Sequence, residues 1–280
     1  MKRGQDLRRL SIFLIGPALL AVGLLFLLPL ARLFAISLDA PNLSLSNYGA
    51  ALGSSGFLSV IAVTLRVTLV VTLACAVLGF PIAYLMARTT GATKAVIGLL
   101  VVLPFWTSLL VRNYAWIYLL QRRGAVNNAL MSLGIIDQPL DLIYNEFAVA
   151  FAMTNALLPF MVFPIYVALQ DQDGSHLEAA ASLGASPTRA FFDVTLPLAF
   201  QGIVAGSLIV FATGVGFYVT PALLGGGKVL LAATFITREI EVTLNWPLAA
   251  SAAVILFFFV LMIILAYARV VGLGRLSGVK

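Results

Sequence analysis

The chain has 280 residues, 61% of them hydrophobic and only 10% charged, with a formal net charge of +6. A water-soluble domain needs roughly 25% charged residues to cover its surface, so this balance excludes one. The basic excess does not gather into an aromatic-laced patch, which argues against nucleic acid. The single cysteine, Cys75, excludes an internal disulfide or a CxxC pair.

Read in chain order, six apolar runs are long enough to cross a bilayer as helices, at about 1.5 Å per residue against a core of about 30 Å. They are Leu10–Leu38, Phe57–Ala87, Ala95–Leu120, Phe147–Gln170, Leu198–Leu223 and Ala249–Leu273. The expectation is an all-α, multi-pass membrane protein with one transmembrane domain over residues 1–280. The first run follows basic residues, as a secretory signal would. It is far longer than a signal's usual 7–15 apolar residues and reads as a retained span. As one helix the second run would be about 46 Å long, so its beginning, "FLSVIAVTL", belongs at the interface or under protein. That places Arg66 near the membrane surface.

Basic residues favour the cytosolic side. Cytosolic termini put Lys2, Arg3, Arg8, Arg9, Arg88, Lys94, Arg189, Arg269, Arg275 and Lys280 inside. Arg32, Arg122, Arg123, Lys228 and Arg238 then lie outside. One cytosolic loop breaks the rule. Residues 171–197 carry Asp171, Asp173, Glu178 and Asp193 against Arg189 alone. The loops after the third and fifth runs each hold enough apolar residues for a short surface helix.

The exceptional loop contains "GSHLEAAASLGASPTRAFFDVTLP". Ser175 and Glu178 are spaced as a capping box, and Leu177–Leu183 is rich in alanine, a strong helix former. Gly184 suits the left-handed residue that ends a helix. Ser186 and Pro187 then suit the cap and first position of a second helix, expected to stop before Leu196-Pro197. Two short helices joined by a tight turn make a cytosolic knob that could seat in a groove of a soluble protein.

The same residues carry a resemblance. Glu178-Ala179-Ala180, three residues, Gly184, nine residues, Val194, one residue, Leu196-Pro197 is similar to the EAA motif of permease subunits of ATP-binding-cassette importers, with valine in place of isoleucine. "LPFWTSLLVRNYAWIYLLQ", "LLPFMVFPIY" and "NWPLAASAA" resemble stretches of the spermidine/putrescine branch of that family. The resemblance implies a type I importer permease fold of six transmembrane helices with cytosolic termini, in a bacterial inner membrane. It implies that residues 171–197 form a coupling loop, in which Glu178, Ala179, Ala180, Gly184, Val194, Leu196 and Pro197 meet an ATPase. It further implies two ATPase subunits that bind ATP and magnesium, a second and similar permease, an extracytoplasmic solute-binding protein, and a polyamine or related organic cation as solute.

No energy source is encoded here. A phosphate-binding loop needs GxxxxGK and then Ser or Thr. The nearest text, Gly225-Gly226-Gly227-Lys228-Val229, lacks the hydroxyl residue, lies outside, and reads as a flexible turn. His176 is the only histidine, so HExxH is impossible, and neither a Ser-His-Asp set nor an intramembrane carboxylate pair appears. The chain is expected not to be an enzyme, with no catalytic residue, no resident metal and no cofactor of its own.

Polar and irregular positions inside spans are the pore candidates. They are Trp106, Tyr114, Asn155, Thr213, Gly214 and Tyr218, whose aromatic rings suit an organic cation. Arg112, with Asn113, Tyr114, Trp116, Tyr118 and the deeper Trp106, also fits an interfacial aromatic belt. Pro159 and Pro164 should kink the fourth span, and Gly202-x3-Gly206 reads as a close-packing face. The rival reading is a self-sufficient, ion-coupled carrier or channel, a class that often shows inverted repeats and charged mid-membrane residues. Neither feature is clear in this sequence.

Overall fold

The computed structural model describes residues 2–170 and 180–276, and all regular structure among them is helical. In chain order the helices are α1 (Lys2–Ser37), α2 (Ser46–Gly53), α3 (Ser55–Arg88), α4 (Gly91–Trp106), α5 (Leu109–Leu120), α6 (Ala125–Ser132) and α7 (Glu146–Gln170). They continue with α8 (Pro187–Val215), α9 (Val219–Leu224), α10 (Ala232–Glu241) and α11 (Trp246–Leu276). Within α1, α3, α7, α8 and α11 lie 5 stretches long and apolar enough to cross a membrane. The pair Gly91–Trp106 and Leu109–Ser132 supplies a sixth if its bent halves count as one span. The short helices expected in the outer loops are α6, which is largely exposed, and α10, of which only Arg238 and Glu241 are exposed.

Local chemistry sets the helix starts. Asn145 Oδ1 accepts the Ala148 N–H at 2.9 Å to cap α7, and Asn245 Oδ1 accepts the Leu248 N–H at 3.2 Å to cap α11. Ser186 Oγ accepts the Arg189 N–H at 3.3 Å, with Pro187 in the first helical position, as the sequence indicated.

Three spans differ from their sequence-based outlines. The third is not continuous: it breaks at Thr107-Ser108 and bends by 98°. The fifth starts earlier, at Pro187, and ends earlier, at Val215, before an irregular turn at Gly216–Tyr218 and the short α9. The helix begun at Pro187 also does not stop ahead of Leu196-Pro197. It widens into a π turn over Phe191–Thr195, where the Leu196 N–H bonds to the Phe191 carbonyl, and runs on. A wider turn relieves the clash that a proline ring makes with the preceding turn, so Pro197 is absorbed rather than terminal.

The backbone groups into two compact units. The smaller comprises Met1–Phe57 and Ile236–Phe259. Phe34 of α1 meets Phe257 and Phe258 of α11 edge-on, with centroids 6.3 and 5.9 Å apart. Ser37 Oγ donates to the Phe34 carbonyl at 2.8 Å and shares a 2.7 Å hydrogen bond with Tyr48 Oη of α2.

The larger unit comprises Leu58–Phe235 and Val260–Lys280, and α7 is its centre. Met153, Leu157, Met161 and Ile165 recur every four residues, one helical face, and all are fully buried. Against this face lies α8. A Cβ at Gly202 would stand 2.5 Å from the Pro164 carbonyl oxygen and 2.7 Å from Ile165 Cα. At Gly206 it would stand 2.8 Å from Met161 Sδ. Lipid tails are as apolar as leucine, so helices associate in membranes through close packing, and glycines permit the approach. On the opposite flank α3 brings Gly79 onto Met161 and Thr68 onto Gly214. The early turns of α3 in this unit are covered by protein, with Val60, Thr64 and Val67 buried. Near the other end of this packing, Arg66 is ion-paired with Glu146 at the start of α7.

These contacts rank three substitutions. Gly202→Ala should destabilise by about 1–3 kcal/mol, because the added carbon meets backbone that cannot move aside. Gly206→Ala should cost less, since its nearest contact is a flexible thioether and the α7 backbone behind it stands at 3.1 Å rather than 2.5 Å. Gly49→Ala, with no atom within 4 Å, should be neutral or slightly stabilising. Thermal unfolding of the detergent-solubilised protein checks the order, and equal effects at the three positions would refute it.

Candidate functional site

Two regions of the larger unit carry the predicted site residues. The first is the cytosolic loop. Asp171, Asp173, Ser175, His176, Glu178 and Ala179 lie outside the described residues, so the capping box and the first two motif positions do too. From Ala180 the chain is defined. The Ala185 N–H reaches back to the Ala180 carbonyl at 3.0 Å, and the Gly184 N–H to the Ala181 carbonyl at 2.9 Å. With Gly184 at φ +81°, this is a Schellman closure, which an L side chain would strain. Leu183, at the tip of the turn, is 89% exposed. Its apolar side chain on a cytosolic tip was not singled out from sequence, where leucine in a greasy chain gives no signal.

Beyond the turn the segment is seated on the inner end of α3. Phe191 packs edge-on against Phe80 and Tyr84, at 5.9 and 5.7 Å, and the Arg88 guanidinium sits 5.3 Å from the Tyr84 ring centre. A cavity of about 360 Å³ opens between Tyr84, Arg88, Ala185, Pro187 and Thr195. Val194 and Leu196 are half-buried within the helix, Pro197 is exposed, and Arg189 and Asp193 form an exposed ion pair at 3.2 Å. From Pro187, three residues past Gly184, α8 runs as one helix to Val215.

The second region is the pair of interrupted spans. At the first break the Arg112 guanidinium donates to the carbonyls of Pro104 and Thr107 and to Thr107 Oγ1. Arg112 is therefore engaged by the preceding helix, not free at the interface. Trp106, next to the break, is 85% exposed, and Tyr114 on α5 is 60% exposed. At the second break Tyr218 is 41% exposed and Thr213 is exposed as well. One buried hydrogen bond connects the two broken spans: Thr220 Oγ1 of α9 to Asn113 Oδ1 of α5, at 3.1 Å. It ties the helix carrying Tyr114 to the helix that follows Tyr218. Gly214, by contrast, is buried, and a Cβ there would stand 2.8 Å from Thr68 Cγ2. Its geometry is that of close packing.

Asn155 lies elsewhere, half-buried on α7. It is the polar member of a cavity of about 240 Å³ otherwise walled by Ile82, Ile97, Leu100, Val101, Pro104, Leu158 and Pro159. The outer glycine turn is less loose than its composition suggests. A Cβ at Gly225 would stand 2.5 Å from the Pro221 carbonyl oxygen, and one at Gly226, with φ +57°, would stand 2.6 Å from the Tyr144 ring. Tyr144 and Lys228 border an outer cavity of about 730 Å³ with Arg122, Arg123 and Asp141.

Residues 79–271 match the family described as binding-protein-dependent transport system inner membrane component. This chain belongs to that family. Its relatives include the spermidine/putrescine transport system permease protein PotB of Haemophilus influenzae, 36% identical, with 71% of this chain and 70% of that protein aligned. The Escherichia coli PotB is 34% identical, covering 76% and 78%. The inner membrane ABC transporter permease protein YdcU of E. coli is 34% identical, covering 75% and 71%. Among solved structures, the bacterial alginate ABC transporter in complex with an alginate pentasaccharide-bound periplasmic protein has the same fold, with TM-score 0.78 at 18% identity and 95% of each chain covered. The MetNI methionine ABC transporter matches with TM-score 0.60 at 19% identity, covering 78% and 97%. The permease is thus the membrane-spanning subunit of an ABC importer, a multi-pass protein of the bacterial inner membrane.

Within the permease, the Asn113–Thr220 bond is open to direct measurement. Thr220→Val leaves a buried amide unpaired and should cost about 1–3 kcal/mol. A double-mutant cycle with Asn113→Ala should return a coupling of about 0.5–1.5 kcal/mol in thermal or denaturant unfolding. Additive effects would show that the two broken spans are not joined there.

Proposed function

We propose that this permease imports a polyamine or related organic cation, powered by two ATPase subunits that bind ATP and magnesium. It forms the pore with a second, similar permease and receives its solute from an extracytoplasmic binding protein. The observation that carries the solute class is the identity of 34–36% to spermidine/putrescine permeases over more than two thirds of each chain. Chemistry supports the reading. Trp106, Tyr114 and Tyr218 leave ring faces open at the two breaks, and aromatic faces attract ammonium groups by about 0.5–2 kcal/mol each. Thr213 adds a hydroxyl, and Asn155 adds an amide on α7. Gly214 contributes room for α3 rather than a contact to solute.

Coupling follows from the stiff segment. Glu178, Ala179 and Ala180 lead into the Gly184 turn, whose apolar tip, Leu183, enters a groove of the ATPase. When ATP closes the ATPase pair, the turn is displaced, and α8 carries that displacement past Val194, Leu196 and Pro197 toward the second break. The cavity then changes from facing the cytosol to facing the binding protein, and delivered solute enters.

Two experiments test this in the reconstituted complex. Glu178→Lys or Gly184→Pro should abolish most solute-stimulated ATP hydrolysis while the permease still inserts and folds; unaltered stimulation in both variants would refute the coupling role. Trp106→Ala and Tyr218→Ala should each raise the KM for spermidine by about 2- to 30-fold, the range that corresponds to a lost cation–π contact. Wild-type complex that fails to accumulate radiolabelled spermidine or putrescine would refute the solute class.

A further inference from the structure

The α4 helix has 16 residues and so rises about 24 Å from its cytosolic start. The hydrocarbon core is about 30 Å thick, and the last turn of α4 therefore ends inside it. A helix cut at that depth leaves carbonyls without partners where water is scarce. Thr107 Oγ1 donates to the Pro104 carbonyl at 3.1 Å, and Arg112 meets the rest of this need from the next helix. Its guanidinium donates to the Pro104 carbonyl, to the Thr107 carbonyl at 3.1 Å, and to Thr107 Oγ1 at 3.1 Å from Nη2 and 3.3 Å from Nε. All the acceptors belong to the end of α4 and the break, while the donor stands on the first turn of α5. The cation also lies at the negative end of the α4 dipole, and the planar fork of donors suits several acceptors at once.

We infer that Arg112 is a positioning residue for solute passage: by fastening α5 to the cut end of α4, it fixes the 98° bend and hence the direction in which Trp106 and Tyr114 are presented. This rests on the importer reading above and adds a residue to it. Trp106 immediately precedes the clamped Thr107, and Tyr114 follows Arg112 by two positions. Both rings are largely exposed, so few neighbours hold them and the backbone bend aims them. Arg112 turns Nε and Nη2 toward the end of α4 and acts on the solute through these rings.

The test uses the complete transport complex reconstituted in lipid. A cysteine is placed by Trp106→Cys, and its reaction with a small water-soluble maleimide is timed with and without Arg112→Ala. The native Cys75 is fully buried and does not compete. Leu133→Cys, at an exposed position of the outer loop, is the control. Arg112→Ala should change the rate at position 106 at least threefold and leave the rate at position 133 unchanged. With the tryptophan restored, Arg112→Ala should raise the KM for spermidine at least fivefold while the maximal rate and basal ATP hydrolysis stay within twofold. If the alanine variant does not assemble, Arg112→Gln gives the same comparison with a smaller expected shift. An unchanged rate at position 106, or a fall in maximal rate with KM unaltered, overturns the inference. The labelling needs no solute, so its failure is distinct from failure of the polyamine reading, which shows as absent spermidine uptake by the wild type.

Discussion

Inside a lipid core a backbone N–H or C=O has no water to turn to, and each one must find its partner in the protein. This constraint explains why every span here is helical and why its few departures from helix are so heavily supported. The Thr107-Ser108 break is closed by a guanidinium. The Gly216–Tyr218 break is followed by a helix anchored through Thr220 to Asn113. The π turn at Phe191–Thr195 keeps its bonds by lengthening them one residue rather than losing them. Irregular backbone is costly at this depth, and here it occurs in two spans of one unit that are joined by the Asn113–Thr220 bond.

Packing and transmission meet in α7 and α8. Glycines at 202 and 206 let α8 lie directly on the α7 backbone, so a movement of α8 cannot be absorbed by soft side chains between them. The same helix begins at the cytosolic turn and ends beside the second break. Phe191 locks its first turns to Phe80 and Tyr84 of α3. The Gly184 turn is therefore connected to the membrane interior along α8 and laterally to α3 through the aromatic cluster. That arrangement suits a subunit whose work is done by a partner.

Much of this was legible in the residues. Six apolar runs gave the spans because membrane thickness fixes helix length, and the spacing from Glu178 to Pro197 resembled a known coupling motif. Gly184, Ser186 and Pro187 took the positions that their backbone preferences demand. Gly202-x3-Gly206 proved to be a contact face, as small residues at that spacing suggest. Other readings needed the third dimension. Arg112 looked like a belt residue because its acceptors, Pro104 and Thr107, are backbone or hydroxyl groups that carry no charge pattern to search for. Gly214 looked like a pore position because sequence does not say that Thr68, far away in the chain, fills its space.

The amino-acid order by itself determined the solvent, the number of long apolar runs and the backbone form of the Gly184 turn, since those follow from hydropathy, length and local backbone preference. Tertiary structure alone decided where spans break, which side chains repair the breaks, and which helix joins the cytosolic turn to the membrane interior. Those features depend on contacts between residues distant in sequence, such as Asn113 with Thr220 and Gly214 with Thr68, and no local pattern encodes them.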